Sequence, residues 1–126
     1  MTHYKQLMND KEHDEITENI PELYNLIFVL YYSDRCSACI RFKPIFEKMC
    51  QDYQSICPEV LFCAIDIDAN TNVGNNLGIK NIPTMYAYSK EGDVIHVNPY
   101  ASDYSETFES LIQNIICDKI YHLESE

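Results

Sequence analysis

Two stretches, NLIFVLYY (residues 25–32) and VLFCAIDID (residues 60–68), are apolar almost without interruption. A strand with one wet face alternates apolar and polar side chains, so runs like these read as strands buried on both faces. Between them, from Cys36 to about Tyr53, apolar residues recur at Ile40, Pro44, Ile45 and Met49 with helical spacing. Pro44 lies inside that segment and is expected to kink the helix, because proline removes one backbone donor. Strand, helix, strand is therefore the middle of the chain.

The flanks continue the alternation. Residues 11–20 read as a short helix with Asn9 or Asp10 as its cap and Pro21 stopping it. A further short helix covers residues 71–77 and is ended by Gly78, a helix-stop residue. TMYAYS and VIHV flank KEGD, which is hairpin punctuation. A last helix is expected from Ser105 to about Leu123, with Phe108, Leu111, Ile112, Ile115, Ile116 and Ile120 on one face. A short strand over residues 4–7 would begin the chain. Strands alternating with helices, closed by a hairpin, imply an α/β domain with a central mixed sheet and helices on both faces. At 126 residues the chain fits a single domain, 1–126, able to bury a core. No repeat, low-complexity tract or linker interrupts it.

Charge narrows the partners. A net charge of -11 argues against nucleic acid or an anionic membrane, since both need basic surface. The N-terminus lacks a signal-peptide pattern, and the longest apolar run, residues 26–32, is too short to span a bilayer. The expected compartment is the cytoplasm. There, six cysteines do not suggest a disulfide framework. Cys50, Cys57, Cys63 and Cys117 are scattered and are expected to pack as small hydrophobes.

Cys36 and Cys39 are different. They follow the first long strand and open the helix, separated by Ser37 and Ala38. Backbone N–H groups and the dipole at a helix start favour a thiolate at Cys36. Cys39 lies one turn later on the same side, within reach for a disulfide. Arg35 and Arg41 bracket the pair, and Lys43 and Lys48 follow, adding positive charge that favours the nucleophilic thiolate. Zinc is a rival use of two thiols, but it needs four ligands, and neither the other cysteines nor His3, His13, His96 and His122 have such spacing. A structural disulfide between Cys36 and Cys39 is the other rival, unusual at an exposed helix start.

The segment YYSDRCSACIRFKP resembles the strand, redox pair and proline of the thioredoxin family, with Pro44 five residues after Cys39. IDIDANTNVGNNLGIKNIPT is similar to the family's third strand, following helix and cis-proline loop. YASDYSETFESLI is similar to the segment opening the last helix of protein disulfide isomerase domains. The resemblance spans about residues 4–118 and implies a thioredoxin-like fold. It implies a protein-disulfide oxidoreductase serving cell redox homeostasis, with no cofactor and no metal. Its partners would be protein disulfide substrates and a thiol or reductase electron donor, and its state a monomer or weak dimer. Cys36 would attack a substrate disulfide, and Cys39, buried and protonated, would resolve the mixed disulfide. Pro83 would be cis, holding the backbone of Ile82 where an extended substrate segment pairs like an added strand, and Arg35 would join the substrate surface. A proline beside the thiols would also block the approach of metal.

The departures bear on turnover. Arg35 replaces the family's Trp, and Ser37-Ala38 replaces Gly-Pro. Leu30 stands where the family has a buried acid, and Ala64 where thioredoxin has a lysine. The glycine before the last helix is missing, with Tyr100 or Ser102 nearby. An interaction module with little or no turnover is the alternative these changes leave standing. Arg35 and the absent Gly-Pro favour the reduced pair, while a reducing compartment favours net reduction of substrates, so the direction of electron flow stays open.

Overall fold

A computed structural model describes residues 3–99 and 107–122 of the chain. Within them the order is β1 (Lys5–Leu7), α1 (Asp10–Glu18), β2 (Leu26–Tyr32), α2 (Ser37–Gln54), β3 (Val60–Asp66), α3 (Thr71–Leu77), β4 (Thr84–Ser89), β5 (Val94–Val97) and α4 (Phe108–Lys119). One five-stranded sheet runs β1-β3-β2-β4-β5. β3 is parallel to both β1 and β2, whereas β4 and β5 are antiparallel to their neighbours. The mixed sheet follows from the connections: helices carry the chain back between β1, β2 and β3, and the Lys90–Asp93 turn needs only a hairpin.

β2 is the spine of the molecule, and alternate residues serve two cores. Leu26, Phe28 and Leu30 face Phe42, Phe46 and Met49 of α2 and Phe108, Ile112 and Ile116 of α4. Ile27, Val29 and Tyr31 face the other way, with Ile16 of α1 and Val73 and Leu77 of α3. That is why the run shows no polar alternation. Stacked Phe28 and Phe62 (centroids 5.1 Å apart) and the edge-on pair Phe42–Phe108 (5.0 Å) fill the first core. In the second core the buried polar groups satisfy one another: His13 Nε2 is hydrogen-bonded to the Tyr31 hydroxyl at 2.7 Å, which meets that of Tyr88 at 2.6 Å.

Most expected elements form, with local differences. Asn9 is the cap of α1, its Oδ1 accepting the Glu12 N–H at 2.8 Å. Gly78 ends α3 in the left-handed region (φ 67°), a conformation open to glycine at little cost. β3 stops at Asp66 rather than Asp68, because the Asp66 carboxylate accepts the N–H groups of Asp68 and Ala69 at 2.8 and 3.3 Å and turns the chain. α4 begins after Thr107, which forms a capping box with Ser110. The expected ends of that helix, Ser105 and Leu123, lie outside the described residues, as do Tyr100 and Ser102.

The expected apolar face of α2 needs correction. Its buried residues are Cys39, Phe42, Phe46, Met49 and Cys50, while Ile40 and Ile45 are 59% and 54% exposed and Pro44 is exposed too. Positions 39, 42, 46, 49 and 50 form their own stripe at helical spacing, and two Phe on it fill the space above β2. Isoleucine spacing alone pointed to the wrong side. Of the scattered cysteines, Cys50, Cys57 and Cys63 are buried and Cys117 is half-buried.

Candidate active site

The site is assembled where β2 runs out. Ser33 starts the turn: its carbonyl accepts the Cys36 N–H at 3.2 Å and its hydroxyl oxygen accepts the Arg35 N–H at 3.1 Å. The same hydroxyl donates to the Asp68 carboxylate beyond β3. This tightly bonded turn sets Cys36 at the N-cap of α2, with extended backbone angles and its carbonyl accepting the Ile40 N–H at 3.0 Å. Cysteine here does what Ser or Asp does at other helix starts. Its Sγ accepts the Cys39 backbone N–H at 3.1 Å. An N–H aimed at sulfur at the positive end of a helix stabilises negative charge on that sulfur.

The loop between α3 and β4 supplies the other wall. α3 ends at Gly78, and the loop to β4 carries the Ile82–Pro83 peptide bond in the cis form. The Thr84 hydroxyl donates to the Asn81 carbonyl and ties that loop to the start of β4. The result brings the Ile82 carbonyl to 3.7 Å from Cys36 Sγ, whose S–H points to it. Cys36, Cys39, Ile82 and Pro83, 47 positions apart in sequence at the extremes, are thus one surface around one sulfur.

The two thiols occupy different environments, and both are free. Cys36 is partly exposed. Cys39 is only 5% exposed, and burial, followed by its hydrogen bond with Cys36, pushes its thiol up to about 12. Behind Cys39 is a narrow cavity of about 20 Å³. Leu30 and Ala64 face each other across β2 and β3 in its wall, so no carboxylate approaches Cys39 from the sheet.

Arg35 lies in the turn, 87% exposed, with Nε 3.7 Å from the Asp68 carboxylate. Its charge is therefore shared with an acid, in an exposed pair of the kind that contributes little to stability. Arg41 and Lys43 are exposed on α2. Ser33, Asp34 and Asp68 complete the site and were not singled out from sequence. The signal available was the polar tripeptide Ser-Asp-Arg directly before the first thiol. Among the described residues, no group of three His, Cys, Asp or Glu is arranged to hold a metal ion, and no helix is long and apolar enough to cross a membrane.

Comparison with known proteins agrees with this geometry. The thioredoxin family model matches residues 5–115. A thioredoxin of Ophiophagus hannah is 33% identical over 86 residues, covering 65% of this chain and 77% of that protein. A thioredoxin of Chlorobaculum thiosulfatiphilum is 27% identical over 59 residues, 47% of this chain and 52% of its own length, so the chain spans about half of that relative. Among solved structures, the first thioredoxin domain of mouse protein disulfide-isomerase A4 superposes with a TM-score of 0.71 at 17% identity, covering 98% of this chain and 81% of that one. At that identity the likeness speaks for the fold.

Proposed function

The chain belongs to the thioredoxin family, and from that premise we propose that it is a protein-disulfide oxidoreductase in which Cys36 is the nucleophile and Cys39 the resolving thiol. The observation that carries this reading is the asymmetry of the pair. Cys36 Sγ is accessible, sits at a helix start and accepts the Cys39 N–H at 3.1 Å, while Cys39 is buried behind it with its thiol raised. In the first step the Cys36 thiolate attacks one sulfur of a substrate disulfide. The Cys36–substrate disulfide forms, and the other substrate sulfur leaves as a thiolate that takes a proton. In the second step Cys39 loses its proton and attacks Cys36 Sγ, expelling the remaining substrate thiolate and leaving a Cys36–Cys39 disulfide. A dithiol or a reductase returns two electrons and two protons. The Ile82 carbonyl beside Cys36 offers an extended substrate segment a strand-like backbone partner, and Pro83 and Arg35 border its path.

A second reading has a specific observation behind it. Leu30 and Ala64 leave Cys39 without an acid on the sheet side, which favours an interaction module of slow turnover. Insulin reduction with dithiothreitol or a thioredoxin reductase separates the two. The oxidoreductase accelerates precipitation of the insulin B chain well above the reductant alone. A rate equal to the reductant alone would overturn the proposal and leave the module.

A further inference from the structure

The proposed second step requires Cys39 to give up a proton inside an apolar wall, and the structure offers it one route. The cavity behind Cys39, about 20 Å³, has room for a single water. Leu30, Ala64 and Phe46 close its inner side, and Asp34 and Lys43 stand among its lining residues on the solvent side. The two carboxylates at the end of β3 and just beyond it, beside the site, are engaged. Asp66 accepts two backbone N–H groups, and Asp68 accepts the Ser33 hydroxyl and pairs with Arg35. Asp34 makes no side-chain hydrogen bond or ion pair among the described residues, and it is the one acidic residue that lines the cavity.

We propose that Asp34 accepts the Cys39 proton through a water held in this cavity, and so sets the rate at which the mixed disulfide is resolved. The inference rests on the reading of Cys36 and Cys39 given above. The step balances: Cys39 Sγ–H and the Cys36–substrate disulfide become the Cys36–Cys39 disulfide, a substrate thiolate and one proton. That proton passes through the water to Asp34, and from there to solvent. When the pair is reduced again the same path runs backwards.

The other titratable groups facing the cavity do not fit the acceptor role. The Tyr32 hydroxyl donates to Gln6 Oε1 at 3.1 Å, and burial raises it, so it stays a donor. Tyr4, also a phenol, packs its ring on Phe46 at 5.3 Å. Lys43 is an ammonium, with no lone pair to offer. Cys36 is itself the electrophile in this step.

The test uses neutral 2,2′-dipyridyl disulfide as substrate, each half of which leaves as thiopyridone, so that a change of charge at Asp34 leaves its approach unaltered. Stopped-flow absorbance of released thiopyridone gives two phases, the first reading attack by Cys36 and the second reading resolution by Cys39. Asp34→Asn should slow the second phase about tenfold or more at pH 7 and leave the first within about twofold. The deficit should narrow toward pH 9, where hydroxide replaces the carboxylate, and Asp34→Glu should recover most of the rate. An unchanged second phase in Asp34→Asn across pH 6 to 9 would overturn the proposal. No first phase in the native protein would instead remove the oxidoreductase reading on which it rests.

Discussion

Cys36→Ser should abolish disulfide exchange, a loss of at least about 10³-fold, whereas Cys39→Ser should still attack and accumulate as a mixed disulfide. The difference follows from exposure. Cys36 Sγ can be reached by a substrate sulfur, and an alcohol in its place is a far weaker nucleophile. Cys39 is covered by α2 and the sheet, and its thiol is pushed up to about 12. At pH 7 only a trace of Cys39 is therefore thiolate. The buried residue is thus a poor attacker of external disulfides, yet it lies beside the Cys36 sulfur and needs no encounter. Intact-mass spectrometry after incubation with a disulfide peptide reads the outcome directly. Cys39→Ser should carry one peptide adduct that dithiothreitol removes, and Cys36→Ser none. Adducts on Cys36→Ser with a clean Cys39→Ser would reverse the two roles.

The pair itself was legible because its signals are local. A buried run, two thiols three apart, a proline in the next helix and Ile-Pro before TMYAYS are each visible in a dozen residues, and each lies where the reading put it. That Leu30 lies opposite Ala64 was implied by the family resemblance, in which the buried acid and its lysine stand at these two positions, since runs without polar alternation do not fix a register. What the sequence concealed is non-local. Ile40 and Ile45 fit a helical period as well as Phe42 and Phe46 do, and only the aromatic partners on β3 and α4 decide which stripe turns inward. The pairing of Arg35 with Asp68 bridges two loops separated by a helix and a strand, so its basic charge looked available to the thiols when read along the chain. Asp34 was overlooked for the converse reason: its standing as the unengaged carboxylate is visible only once Asp66 and Asp68 have found their donors.

Leu30→Asp should make resolution faster and the protein less stable, with the two effects separable by pH. Leu30 is 3% exposed beneath Cys39 and packs in the first core, so exchanging it for a carboxyl removes buried methyl groups and desolvates a polar one. The expected cost is roughly 3–5 kcal/mol, in line with large-to-small core changes carrying an added polar group. Burial disfavours the charged carboxylate, which puts the folded pKa of the new group above its unfolded value of about 3.9. A group shifted this way is least harmful below the unfolded value, where both states are protonated. Its penalty then grows with pH, by up to about 1.4 kcal/mol per unit, until the folded pKa is passed. Urea unfolding of both proteins at pH 4 and pH 7 should therefore give a larger difference at pH 7. Equal differences would mean that the carboxyl turns to water through the cavity and is not desolvated. In the folded variant the new group faces Cys39 without an intervening mouth, and the second thiopyridone phase should quicken by about 10²-fold at pH 7. It should also become indifferent to Asp34→Asn, because a proton with an acceptor on β2 has no need of the outer one. A phase that stays as slow as in the native protein would show that proton removal does not limit resolution, and that the apolar pair Leu30 and Ala64 is a feature of packing alone.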